Sequence, residues 1–163
     1  MECIQQHSGI IDTDDHLLFV QQLDEFPEPD PEHPYLNFLC LNAGQILISV
    51  GTNCGPINAA VQVLAQAPPL EPHQWEDIDE GDIAYSGLGL VLQGEMGLRQ
   101  LPAEPETTFT PEGDHRYRVR VSARGRDIDY DHPTDEPLED YLIQLWPVAL
   151  ATPGLSYQNK SGR

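Results

Sequence analysis

Basic side chains are scarce in this chain. Lysine and arginine number 8 against 27 aspartates and glutamates, a formal net charge of −19 and a pI near 4.3. Residues 1–98 contain no lysine or arginine at all. A surface so poor in cations excludes a nucleic-acid binder and a ligand of anionic membranes, because both need basic patches. Long apolar runs are missing too, and none approaches the roughly 20 residues of a membrane helix. The first residues, MECIQQHSG, carry neither the basic nor the apolar region of a secretory leader, so a cytoplasmic protein is expected. Cysteines number only 3 (Cys3, Cys40 and Cys54), an odd count without a CxxC. They read as reduced thiols, with Cys40 filling core space in an apolar run. Several catalytic signatures are absent as well. No GxSxG occurs, no GxxxxGK[ST] can occur before the single lysine at 160, and the 6 histidines show neither HxH nor HExxH spacing. No cofactor is expected, and no enzyme.

What is present suffices for a fold. The 163 residues suggest one domain, read as residues 1–150, with a flexible tail over 151–163. Leu, Ile, Val and Phe make up about a quarter of the chain, above the level at which chains stay disordered. The 15 prolines and 13 glycines leave few windows long enough for a helix. Between them lie short runs of strand character: 4–11, 16–23, 35–41, 45–52, 74–85, 88–92, 116–124 and 139–146. Residues 57–66 (INAAVQVLAQ) are the one stretch whose Ala, Gln and Leu also suit a helix. The expected class is all-β, an antiparallel sandwich of about eight to ten short strands with at most one short helix.

The charges are clustered. One acidic group is Asp12, Asp14 and Asp15. A second, threaded with prolines, is Asp24, Glu25, Glu28, Asp30 and Glu32. A third is Glu76, Asp77, Asp79, Glu80 and Asp82. In the strand 116–124, Tyr117, Val119, Val121 and Ala123 share one face, and Arg116, Arg118, Arg120 and Arg124 share the other. Such a row is either a rail for anionic ligands or a cross-strand ladder answering neighbouring acids, and the acidic background favours the ladder. Asp127, Asp129 and Asp131 place carboxylates at alternate positions, as in a calcium loop, but His132 stands where that loop needs glycine. A calcium-dependent binding module is therefore the alternative reading.

The stretch PEGDHRYRVRVSARGRDIDYD, followed by DEPLEDYLIQLWP, resembles a motif of small bacterial proteins of this length. Gly51-Thr52-Asn53-Cys54-Gly55-Pro56 and Trp75-Glu76-Asp77-Ile78 fit the same layout. In strand order and turn position the chain is similar to the competence protein J family, small acidic nuclease inhibitors. That resemblance transfers no functional residues. It implies a β-sandwich inhibitor or immunity protein that neutralises a basic toxin or nuclease domain by occluding its substrate site. Net charge alone suits a merely soluble acidic domain equally well; the resemblance selects the inhibitor. The three acidic groups would then steer and rim the contact, with Trp75 or Tyr85 as buried anchors.

Overall fold

The computed structural model describes residues 3–24, 35–42, 44–94 and 99–161. All regular structure among them is strand: β1 (Cys3–Asp14), β2 (Leu17–Gln22), β3 (Leu39–Asn42), β4 (Gln45–Ser49), β5 (Cys54–Leu64), β6 (Asp77–Gly87), β7 (Leu90–Gly94), β8 (Gln100–Leu101), β9 (Gly113–Arg124), β10 (Asp140–Pro147) and β11 (Leu155–Asn159). The all-β class is as expected. The architecture differs in detail. The strands form one continuous network in the order β11-β6-β9-β10-β5-β1-β2-β4-β3, with β7 attached to β2 and β8 to β7. Among the described strands every pairing is antiparallel except β5 with β10, and an isolated parallel bridge joins Cys54 to Pro133. Two separately bonded sheets are not seen; instead the sheet curls, and β3 and β4 pack against β6.

The candidate helix at 57–66 is strand through Leu64. Its apolar residues recur with period two, so Ile57, Ala59, Val61 and Val63 all enter the core. Ladders to β1 on one side and β10 on the other then outweigh the modest helix preference of Ala and Gln. In β9, Tyr117, Val119, Val121 and Ala123 join the same core, packed with Ile11, Ile48, Ile83 and Tyr141. Gly81 of β6 permits the curled sheet to close. A Cβ there would stand 2.3 Å from Leu41 Cδ2 of β3, so a larger residue would force the Leu41 side chain to move.

The segment expected to be a flexible tail contains a strand. β11 pairs antiparallel with β6 from Leu155↔Glu80 to Asn159↔Asp77. The weak apolar pattern after Pro147 concealed a strand held by backbone bonds and by its role as a cover. The Thr152 and Pro153 carbonyls accept from Arg118, and the Pro68 and Pro69 carbonyls, from the segment before β6, accept from Arg120.

Candidate partner interface

The arginine row is a ladder. Arg118 donates to Glu80 Oε1 (2.9 Å) and Asp82 Oδ1 (2.9 Å), while Arg120 donates to Glu80 Oε2 (2.7 Å). The antiparallel register explains the match, because Glu80 lies opposite Arg120 and Asp82 opposite Arg118. Arg116 approaches Asp82 at 3.9 Å, and Arg124 bonds Asp140 of β10 at 2.8 Å. Arg126 reaches across to Asp77 at 2.9 Å.

This pairing withdraws most of the third acidic group from any partner. Asp77, Asp79 and Glu80 are buried. Asp77 Oδ1 also accepts the Lys160 and Ser161 amides. Asp79 Oδ2 accepts the Phe38 and Leu39 amides, which ties β6 to the start of β3, and burial pushes its carboxyl above the ordinary range. Asp82 is held by Arg118 and by the Thr152 amide. Glu76 is half-buried and accepts from Gly125. Strand alternation would have exposed every second member of this group; the start of β3 covers Asp79, and Arg118, Arg120 and the segments at 68–69 and 152–153 enclose Glu80. Tyr85 is likewise internal. Its hydroxyl donates within the fold, to Pro111 O at 2.6 Å, and burial raises its pKa to about 12. It is not a surface anchor.

Trp75 is half-exposed, with the Arg124 guanidinium 4.9 Å from its ring centroid. It stands between two grooves. One, of about 520 Å³, lies on the outer face of β1, β5 and β10 beside Ile10, Asn58, Ala60 and Leu142. The other, of about 440 Å³, is lined by Ile128 and Leu138.

Tertiary structure assembles an acidic pole that the sequence did not join. The β1–β2 turn, with Asp15 and His16 at φ 51° and 64°, projects Asp14 and Asp15. The loop carrying Asp127, Asp129 and Asp131 folds against it. His16 Nε2 meets Asp131 Oδ1 at 2.8 Å, Asn53 Nδ2 meets the same oxygen at 3.5 Å, and the Thr134 amide donates to Cys54 O at 2.9 Å. The His16 bond holds the Asp131 carboxyl below its ordinary range. Partial desolvation and then Asp14, Asp15 and Asp12 push the Cys54 thiol up, which disfavours its thiolate. Asp12 sits nearby in a bidentate bond with Arg99, both contacts at 2.6 Å, and this lowers its carboxyl. Asp24 is exposed; Glu25, Glu28, Asp30 and Glu32 lie outside the described residues.

Other chemistries find little footing in this geometry. Asp129 turns to His132 and Asp131 to His16, and no group of three or more potential metal ligands gathers among the described residues. His16 and Asp131 form a His–Asp pair, but the other ring nitrogen lies 2.9 Å from Val50 O rather than facing a nucleophile. Glu139, unremarked in the sequence, is a buried structural acid. It accepts the Gly51 and Thr52 amides at 2.7 Å each and the Tyr141 hydroxyl at 2.5 Å.

No family model and no curated protein matches the sequence. Solved structures do. The chain is similar to crocagin biosynthetic gene J, with a TM-score of 0.56 and 16% identity over 91% of this chain and 100% of that one. It is also similar to ComJ of Bacillus subtilis, an inhibitor of the DNA-degrading activity of NucA, with a TM-score of 0.57 and 12% identity over 90% of this chain and 98% of that one. At these identities the likeness establishes a shared fold, one used by a nuclease inhibitor, and the expected resemblance to competence protein J holds at that level.

Proposed function

We propose that this chain is a non-enzymatic inhibitor or immunity protein of the cytoplasm that binds a basic nuclease or toxin domain and blocks its substrate cleft. One observation carries the reading. Every described arginine is already engaged by a carboxylate of the chain itself, while Asp15, Asp129, Asp131, Asp135 and Glu136 remain exposed. An internally neutralised core with an acidic pole is suited to steering toward a cationic cleft, a role that uses the field instead of merely tolerating its self-repulsion. Fold likeness to a nuclease inhibitor supports the same reading. The interface comprises Asp14 and Asp15 together with the 127–136 loop, and Trp75 supplies an apolar contact at its margin; Asp24, beyond the opposite end of β2, lies away from this pole.

The test is affinity capture from the producing organism's lysate, followed by nuclease and toxicity assays of the captured protein with and without this chain. A basic partner whose activity falls stoichiometrically supports the reading. The charge-reversed variant Asp14→Lys/Asp15→Lys should then associate at least tenfold more slowly at low salt. If it inhibits as quickly as the parent, the acidic pole is not the interface.

A further inference from the structure

β1 is bonded along its length to β5. On its other edge the sole strand pairing among the described residues is Asp14↔Leu17, because β2 turns away at once to pair with β4 and β7. Between Cys3 and Thr13 no other described strand pairs with that edge, although β7 abuts it at Asp12, whose carbonyl oxygen lies against Gly94. Such an edge is a template for a further strand, and native proteins guard theirs with Lys, Pro or inward charges. This one is unguarded. Residues 3–11, CIQQHSGII, contain no acid, no Lys, no Arg and no Pro, in a chain with 27 acids. Ile4 and Ile10 stand on its outer face, 58% and 38% exposed.

A groove of about 620 Å³ lies along this edge. Ser8, Gly9 and Ile10 form one wall, and Leu101, Ala103 and Pro105 form much of the other. Arg99, the cation at its rim, is taken up by both oxygens of Asp12. The one cation lining the groove is therefore already paired with a carboxylate, which leaves the groove poorly suited to a phosphate or carboxylate ligand. It offers a row of backbone donors and acceptors at strand spacing, which only another extended backbone can match.

We infer that β1 accepts an extended peptide segment by strand addition, lying in the groove against 99–105. The charge pattern defines the occupant. It is uncharged beside residues 3–11 and carries Lys or Arg at the end nearer Asp14 and Asp15, short of the Asp14↔Leu17 pairing. Strand addition along residues 3–11 does not rest on the inhibitor reading, but the peptide's basic end and the proposed nuclease interface share Asp14 and Asp15, so the two occupants would compete there.

The probe is a fluorescein-labelled, acetylated and amidated nonapeptide of alternating Thr and Val ending in two lysines. Its control carries Pro at three consecutive central positions, which removes donors from both edges of the peptide and so prevents a continuous ladder. Expected results are a saturable rise in anisotropy with the first peptide alone, and slowed amide exchange at residues 4–10. Ala103→Trp, an exposed change that fills the groove, should weaken binding about tenfold or more, while Ala149→Trp on a distant surface should leave it unchanged. Three outcomes overturn the inference: no binding up to about 1 mM, equal binding of the proline control, or concentration-dependent dimerisation without peptide that protects the same amides and so assigns the edge to a second copy. Should Ala103→Trp unfold, the proline control and the exchange pattern still decide.

Discussion

Replacing Glu80 by alanine separates a structural acid from an interfacial one. Glu80 bridges two guanidiniums, Arg118 at 2.9 Å and Arg120 at 2.7 Å, and is 3% exposed. Removing one partner of a buried ion pair costs about 3–5 kcal/mol, because the remaining charge stays desolvated. Here two charges lose a partner, but each keeps others. Arg118 retains Asp82 and two carbonyls, and Arg120 retains the Pro68 and Pro69 carbonyls. A loss of about 4 kcal/mol follows, or about 8–16 °C in melting temperature for a domain of this size. The opposing effect is relief of repulsion, since the variant also removes one negative charge from a chain of net charge −19. For an exposed acid that relief is about 0.5 kcal/mol or less. The companion variant Asp15→Asn isolates it and should melt close to the parent. Urea and thermal denaturation followed by circular dichroism measure both. If Glu80→Ala melts within about 2 °C of the parent, or higher, the β6–β9 ladder contributes little and the case for an internalised third acidic group fails.

Further outcomes follow from the same geometry. Asp79 has a raised folded-state pKa, so the folded protein binds its proton more tightly than the unfolded chain, and the stabilisation it gives at low pH declines as pH rises from the ordinary carboxylate range through the folded value. Asp79→Asn should therefore equal or exceed the parent in stability at neutral pH, whereas Asp79→Ala should lose about 1–3 kcal/mol for each of the Phe38 and Leu39 amides left unbonded; a destabilised asparagine variant would falsify this account. Asp12 behaves oppositely. Its lowered carboxyl contributes stability above the ordinary range that is lost as pH falls through the folded value, so the gap between parent and Arg99→Gln melting temperatures should close in acid. In His16→Ala the Asp131 carboxyl should titrate nearer its ordinary range by NMR, since the imidazole is the main influence lowering it. Gly94→Ala should destabilise measurably, because a Cβ there falls 1.9 Å from the Asp12 carbonyl oxygen at the point where β7 meets β1.

The strand class and the inward residues were legible in the sequence because side-chain alternation is a local property. Tyr117, Val119, Val121 and Ala123 had to share a face once 116–124 was extended, and proline and glycine spacing left room for little but strands. The ladder between the arginine row and acids elsewhere was legible as well, since so few cations among so many acids must find partners. Which acids answered was not. Asp77, Asp79 and Glu80 alternate along β6 like a half-exposed strand, and only the curl of the sheet that lays β3 over one face, with β11 alongside, turned them inward. The same folding joined His16 to Asp131 across 115 residues of sequence. Among the described residues it also left the outer edge of β1 with the single strand pairing Asp14↔Leu17, because β2 departs there. Composition and alternation determine what each segment must hide, and they act between near neighbours; coverage, charge partners and free edges depend on which distant segments meet, and that is decided by closure of the whole sheet.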